Sequence, residues 1–348
     1  MSEVPERFGV IPERVNRGFF DLMSDFGKVL VVGGAGYIGS HAARVLRKRG
    51  YEVVIYDNLC TGHERLASGF PLIKADAMDT AQLRSALGGV SAVMHFAAHA
   101  YVGESVTNPR KYFRNNVEAG IHLLNTSLDC GVKHFVFSST CAVYGVPKQV
   151  PISEDNPRDP INPYGITKMI FERAMEAYDH AYGLRYASLR YFNAAGADES
   201  GEIGEMHEPE THLIPLALNA AAGAGPELQV FGEDYPTPDG TCIRDYVHVN
   251  DLAEAHVKAL QRLLQGGSSM ALNLGSGKGS SVREIMQAVE KATGRRVPFR
   301  TVARREGDPP TLVADPSRAE RELGWRAVRD LNTTVETAWQ WHQKRLKH

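Results

Sequence analysis

A short apolar segment followed by a run of glycines constrains this chain more than any other part of its sequence. Residues 28–32 read Lys-Val-Leu-Val-Val, which is typical of a strand buried on both faces of a parallel sheet. Residues 33–39 follow as Gly-Gly-Ala-Gly-Tyr-Ile-Gly, and residues 37–48 are predicted to be helical. A glycine loop between a strand and a helix brings backbone N–H groups close to a bound anion.

The glycine spacing predicts a dinucleotide site. Gly33, Gly36 and Gly39 permit a tight turn, close approach to a pyrophosphate and close packing of the helix on the strand. Asp57 ends a second apolar segment about 20 residues further on, where a carboxylate accepts hydrogen bonds from the adenosine ribose. This carboxylate repels a 2′-phosphate, so we predict NAD rather than NADP. The alternative is a glycine-rich turn beside an ordinary strand-end aspartate.

Strands alternate with helices along the first half of the chain, which predicts an α/β fold with a Rossmann-type doubly wound parallel sheet. We predict an N-terminal extension over 1–27, an NAD-binding domain over 28–193 and a smaller mixed α/β substrate domain over 194–348. The chain is expected to return to the large sheet near 241–275. Helices are predicted near 79–87, 110–130, 163–182, 213–222, 250–265, 281–293 and 333–346.

Composition excludes several classes of protein. Lys and Arg (39) nearly balance Asp and Glu (41), so no basic excess supports nucleic-acid binding. No apolar run approaches the roughly 20 residues of a membrane span, and the first 27 residues resemble no secretory signal. The four cysteines are scattered, and the thirteen histidines show no H-E-x-x-H spacing. We therefore expect a cytoplasmic protein with reduced thiols and no metal site.

A tyrosine and a lysine are candidate catalytic residues. Tyr164 and Lys168 are four residues apart on a predicted helix, so both side chains lie on one face. The lysine ammonium, together with a nicotinium charge, is expected to lower the tyrosine pKa by roughly 3 units, from about 10 to about 7. Ser138 and Thr140 end a predicted strand, and Thr140 is placed to hydrogen-bond a substrate oxygen and pass its proton to Tyr164. The alternative is a packed tyrosine beside a solvated lysine.

These elements and several longer motifs resemble the nucleotide-sugar epimerases of the extended short-chain dehydrogenase/reductase family. The resemblance runs from about Lys28 to Trp341. Its motifs are the glycine loop through His41, Asp57-Asn58-Leu59, Val102-Gly103-Glu104-Ser105, Asn115-Asn116-Val117, Tyr191-Phe192-Asn193, Arg244-Asp245-Tyr246-Val247-His248-Val249 and Arg304-Arg305-Glu306-Gly307-Asp308.

The resemblance implies interconversion of UDP-glucose and UDP-galactose through a 4-keto sugar, with tightly held NAD and a homodimer packed through the helices near 110–130 and 163–182. The implied catalytic residues are Tyr164, Lys168 and Thr140. The implied cofactor residues are Gly33, Gly36, Tyr37, Ile38, Gly39, Asp57, Asn58, Asp76, Ala77, Phe96, Ala97, Ala98, Asn115, Ser138, Tyr164, Lys168 and Tyr191. The implied substrate residues are Thr140, Tyr164, Asn193, Leu213, Phe231, Arg244, Arg305 and Asp308.

Some positions depart from the family pattern. Ala100 replaces a lysine found near the diphosphates, His212 replaces an asparagine, and Leu312 replaces a tyrosine of the sugar pocket. The smaller Leu312 side chain leaves room for an N-acetyl group, which suggests activity on UDP-N-acetylhexosamines.

Three alternative functions stay open. A UDP-pentose (xylose/arabinose) 4-epimerase would use the same residues. A 4,6-dehydratase would need an Asp-Glu pair where this chain has Cys141 and Ala142. A non-enzymatic NAD-sensing protein on this fold has no need of the Tyr–Lys pair.

Overall fold

The computed structural model describes residues 27–305 and 307–346. Its largest element is a seven-stranded sheet in which all paired strands run parallel. In spatial order the strands are Met270–Leu274 (β10), Arg185–Tyr191 (β6), His134–Thr140 (β5), Val90–His95 (β4), Lys28–Val32 (β1), Glu52–Asp57 (β2) and Leu72–Lys74 (β3). The strand order changes direction at β1, so the predicted doubly wound sheet is confirmed. The predicted extension over 1–27 lies outside the described residues, apart from Gly27.

Helices cover both faces of this sheet. In β1, Val31 packs into one buried layer and Leu30 into the other, as the continuous apolar sequence predicts for a parallel strand. On the side of Val31 lie Tyr37–Lys48 (α1) and Val249–Leu264 (α8), and on the side of Leu30 lie Thr80–Ala86 (α2), Ala119–Asp129 (α5) and Pro163–Tyr182 (α6).

A smaller region contains short strands that the sequence did not predict. Its strands are Asn193–Ala195 (β7), Leu228–Phe231 (β8), Ile243–His248 (β9), Gly279–Ser281 (β11), Phe299–Val302 (β12) and Thr311–Leu312 (β13). Strand β9 pairs with β7, β11 and β13, while β8 pairs with β12. The helices are Leu213–Ala222 (α7), Val282–Thr293 (α9), Ser317–Leu323 (α10) and Leu331–Arg345 (α11). Within 241–275, β9 lies in this region, whereas α8 packs on the large sheet and β10 is one of its strands.

The segment between β4 and α5 is less regular than the predicted helix over 110–130. It contains Val102–Thr107 (α3), Pro109–Tyr112 (α4) and a π-helical turn at Phe113–Glu118. The Asn116 side chain in this turn accepts a hydrogen bond from the backbone N–H of His99 at 2.9 Å and donates one to its carbonyl at 2.9 Å. These bonds fix the loop that follows β4, and π turns of this kind often mark functional sites.

Among residues 27–305 and 307–346, no helix combines the length and the apolar character that crossing a bilayer requires.

Candidate active site

A cleft of about 1520 Å³ opens at the carboxyl ends of the large-sheet strands. It is lined by residues from both the large sheet and the smaller region. Its volume exceeds the roughly 300–1,000 Å³ of a typical small-molecule site, so it has room for two ligands. Every residue predicted above for cofactor binding, catalysis or substrate binding lines this cleft. The structure therefore brings the whole predicted set together, while the role of each residue stays a prediction.

The glycine loop has no space for side chains. Gly33 has φ of +80°, and a Cβ there would lie 2.3 Å from the backbone nitrogen of Ala97 at the end of β4. A Cβ on Gly39 would lie 2.3 Å from the carbonyl oxygen of Gly33. Helix α1 begins after Gly36 with no side-chain cap and no acidic residue in its first turn. Its first N–H groups are therefore suited to a phosphate.

Asp57 is held at the end of β2 by backbone hydrogen bonds. Its two carboxylate oxygens accept hydrogen bonds from Ala35 N at 3.0 Å and Leu59 N at 2.8 Å. Burial raises the pKa of this carboxyl, and the two backbone hydrogen bonds oppose that shift. Nearby, the side-chain amide of Asn58 donates to Asp76 at 2.9 Å. Each Asp57 oxygen keeps a second lone pair, so the residue fits the ribose of a dinucleotide.

Helix α6 positions the candidate catalytic pair. Its N-cap, Asn162, accepts a hydrogen bond from Gly165 N at 2.9 Å, which places Tyr164 in the first turn. One turn later, Lys168 Nζ donates to the carbonyl of Ser138 at 2.8 Å and lies 5.8 Å from the centre of the Tyr164 ring. The Ser138 hydroxyl also hydrogen-bonds the hydroxyl of Tyr191. The end of β5 and the start of α6 thus meet inside the cleft.

The protein alone does not lower the tyrosine pKa as the sequence analysis expects. Burial raises the pKa of Tyr164 well above its ordinary value, and a hydrogen bond with Thr140 opposes this only in part. Burial also lowers the pKa of Lys168 to about 7, against a raising effect of Glu172. These directions describe the protein's own groups, whereas the expected lowering of the tyrosine pKa requires a nicotinium charge beside the lysine. That expectation therefore stays a prediction for the protein with its cofactor bound.

A buried ion-pair network supports this pair, and the sequence analysis missed it. Glu172, one turn after Lys168, accepts hydrogen bonds from Ser139 Oγ at 2.6 Å and from Arg190 at 2.9 and 2.6 Å. Arg158 contributes a further bond at 3.0 Å. The network ties α6 to β5 and β6. Arg190, between Leu189 and Tyr191 near the end of β6, was the available sequence signal.

Charged and aromatic groups of the smaller region also line the cleft. Arg244 on β9 forms an ion pair with Asp308, and the Arg244 side chain is only 12% exposed. The guanidinium of Arg305 stacks on the Phe231 ring at 3.9 Å from its centre. The mostly buried Arg244 at this cleft differs from an arginine of a solvated surface salt bridge. Guanidinium groups held in this way suit recognition of phosphate.

Departures from the family pattern also lie in this cleft. Ala100, Cys141, Ala142, His212 and Leu312 all line it. Burial raises the pKa of the Cys141 thiol to about 12, so this thiol is a poor proton donor or acceptor at neutral pH.

Two carboxylates and two imidazoles cluster on the loop before α7. They are Glu205, His207, Glu210 and His212. Burial raises the pKa of Glu205, but the nearby charges of His212 and His207 outweigh burial and bring the pKa to about 2. Burial lowers the pKa of His207, while Glu205 and Glu210 more than reverse this and raise it to about 10. These four residues do not have the H-E-x-x-H spacing of a helical metal site, because they lie on a loop.

The chain is similar in sequence to proteins of one known family. Residues 29–275 match the family model described as the NAD dependent epimerase/dehydratase family. The chain belongs to the NAD dependent epimerase/dehydratase family. The UDP-glucose 4-epimerase of Rhizobium meliloti is 51% identical, over 91% of this chain and 97% of its own length.

Solved structures of this family agree. The UDP-glucose 4-epimerase of Brucella ovis in complex with NAD is 53% identical, with a TM-score of 0.88 over 90% of this chain and 97% of that one. The enzyme from Stenotrophomonas maltophila, with bound NAD and formylated UDP-arabinopyranose, is 44% identical, with a TM-score of 0.89 over 92% and 99%. The predicted resemblance to the nucleotide-sugar epimerases is confirmed, and so is the predicted epimerase class of enzyme.

Proposed function

We propose that this protein is an NAD-dependent isomerase that interconverts UDP-glucose and UDP-galactose by inverting carbon 4 of the sugar. The observation that carries the proposal is the position of Tyr164 and Lys168. They line the same cleft as the glycine loop and the Arg244–Asp308 pair. A nucleotide sugar anchored by Arg244 would present its hexose to the tyrosine.

The residues of the cleft divide the chemistry among them. NAD, when bound, would supply the hydride acceptor for carbon 4 of the sugar. Tyr164 takes the proton of the 4-hydroxyl, assisted by the hydroxyl of Thr140. The Lys168 ammonium, fixed on the Ser138 carbonyl, adds positive charge to the pocket. Exclusion of water by the surrounding side chains strengthens each of these interactions.

The same cleft suggests how the two ligands are held. We assign the cofactor to the glycine loop, Asp57 and the other cofactor residues named from the sequence. We assign the substrate diphosphate to Asn193, Arg244 and Arg305, and the uridine to Asp308, Leu213 and Phe231. Leu312 at the sugar end leaves space for an N-acetyl group, so UDP-N-acetylglucosamine is proposed as a second substrate.

A simple assay tests the reaction and the bound cofactor together. The purified full chain converts UDP-galactose to UDP-glucose with no NAD added, and Tyr164→Phe abolishes turnover while keeping its NAD. Tyr182→Phe is the matched control, because Tyr182 ends the same helix and is 59% exposed. No turnover by the wild-type chain, despite NAD in the denatured supernatant, contradicts the hexose proposal. UDP-xylose and UDP-N-acetylglucosamine are then tested in the same assay.

We also propose a cytoplasmic homodimer that acts in galactose metabolism. The four cysteines are all unpaired, which suits a reducing compartment. Val102 and Val106 on α3 and Phe113 in the π turn are 46%, 61% and 37% exposed, next to the helices expected to form the interface. Light scattering tests the assembly, and Val106→Glu is expected to shift dimer towards monomer. A wild-type monomer would contradict it.

A further inference from the structure

Four potential metal ligands converge on the loop that leads into α7. One ligand atom from each of Glu205, His207, Glu210 and His212 lies within 4.8 Å of the others. Imidazole nitrogens and carboxylate oxygens are the ligands that zinc and its first-row neighbours bind. We propose that this quartet binds one divalent transition-metal ion, with Zn²⁺ the best match to two nitrogens and two oxygens. The proposal is independent of the function proposed above.

The relative orientation of Glu205 and His207 favours binding of both side chains to one metal ion. His207 Nδ1 lies 2.8 Å from Glu205 Oε1, yet this nitrogen has no properly aligned hydrogen bond. The same nitrogen lies 3.9 Å from Glu210 Oε1. Ligand atoms around a tetrahedral metal sit roughly 3 Å apart while each points at a common centre about 2 Å away. Close atoms that do not point at one another fit such a centre.

A buried carboxylate oxygen without a partner is the second observation. The Glu210 side chain is only 8% exposed, and its Oε2 atom has no hydrogen-bond partner. Leaving a buried charged acceptor unsatisfied is costly, and a cation at the centre of the quartet removes that cost. Within the described residues, the ion pairs of Glu205 and Glu210 involve only histidines, and a bound metal ion would replace the protons of those histidines.

The surroundings leave one side of the centre open. The His207 ring is held edge-on between the rings of Tyr37, at 6.2 Å, and Tyr101, at 6.0 Å. His212 is 46% exposed and lines the cleft. An ion bound here therefore has room for a water or another oxygen ligand on the cleft side. Because Trp341 Nε1 donates to the Glu205 carbonyl at 2.9 Å, the ion would also fix the loop relative to α11.

Binding of Co²⁺ and Zn²⁺ to the untagged full chain, pretreated with a chelator, tests the proposal without reference to activity. We expect one Co²⁺ per chain, with the visible absorption of tetrahedral coordination, and its displacement by one Zn²⁺. Glu210→Gln and His207→Gln are expected to weaken binding by at least about tenfold, the smaller effect seen even for groups that only support a ligand. Glu208→Gln, an exposed glutamate of the same loop, is the matched control and keeps wild-type affinity.

The possible outcomes distinguish metal binding at this quartet from metal binding elsewhere on the protein. A wild-type chain that binds no Co²⁺ or Zn²⁺ overturns the proposal without any variant. Equal binding by wild type, Glu210→Gln and Glu208→Gln also overturns it, because the ions then sit elsewhere. Retained NAD in each variant shows that its fold is intact. A loss of epimerase activity with metal binding unchanged bears on the proposed function alone.

Discussion

Removing the charge of Glu172 tests the buried network beneath the catalytic pair. In Glu172→Gln the remaining oxygen still accepts bonds from Ser139 and Arg190, but the new amide faces the N–H groups of Arg190 and Arg158. The Arg190 side chain is only 4% exposed, so its charge is left buried without a counter-ion. Breaking a buried ion pair on one side costs about 3–5 kcal/mol, and we expect a loss of that size.

The measurement is reversible urea unfolding of the NAD-free protein, followed by fluorescence. The control is Arg173→Gln on the same helix, which breaks the Arg173–Glu176 pair at 2.8 Å. Arg173 is 62% exposed, so the control should lose no more than about 1 kcal/mol. Equal losses in the two variants would refute the view that burial makes the Glu172 pair costly to break.

Three further predictions concern ligands and pH. Gly33→Ala should retain at least about tenfold less NAD, because the new Cβ would collide with the backbone that follows β4. Gly223→Ala is the control: Gly223 also has a positive φ, but a Cβ there meets no atom within 4 Å, so this variant should retain NAD normally. Arg305→Gln should raise the KM for UDP-galactose, while Arg304→Gln, paired with an exposed aspartate, should not. Lys168 has a folded pKa of about 7, so the unfolded chain binds its proton more tightly. The free energy of unfolding, relative to Lys168→Met, should then rise by about 1.4 kcal/mol per pH unit from pH 7 towards 10, and parallel pH profiles would contradict this.

The sequence predicted most clearly those elements whose ends carry their own signals. The helix expected over 163–182 spans Pro163–Tyr182, because Asn162 and Pro163 start it and Gly183, with φ of +68°, ends it. Strands β1, β2, β4, β5 and β6 were predictable because burial on both faces favours continuous apolar runs, whereas the short strand β3 and the edge strand β10 were not predicted individually. The glycine loop was predictable because its conformation excludes other residues.

The short strands of the smaller region carry no comparable signal. Strand β13 has two residues and β7 has three, so neither shows a periodic pattern. Each exists because it pairs with β9, which is distant in sequence. The π turn was missed for a similar reason: tertiary contacts of Asn116, including one with Thr167 at 3.1 Å, hold a segment that local propensity predicts as an ordinary helix.

Residues of the candidate site could be predicted from sequence motifs, but their buried ion pairs and pKa shifts could not. The residues that line the cleft follow from motifs, whereas the network of Glu172 joins segments that are far apart in sequence. The direction of the Tyr164 and Lys168 pKa shifts depends on how deeply each group is buried. Burial of a single side chain cannot be read from a sequence motif.

The position of β10 has a consequence for how the protein is made. This strand forms the edge of the large sheet beside β6, with Met270 opposite Ala187, yet the chain builds β7, β8 and β9 before reaching it. A ribosome adding about 5–20 residues per second therefore exposes an unfinished edge at β6 for several seconds. An open strand edge is a template for pairing with other chains. The large sheet is therefore completed only after the chain has passed through β7, β8 and β9 of the smaller region.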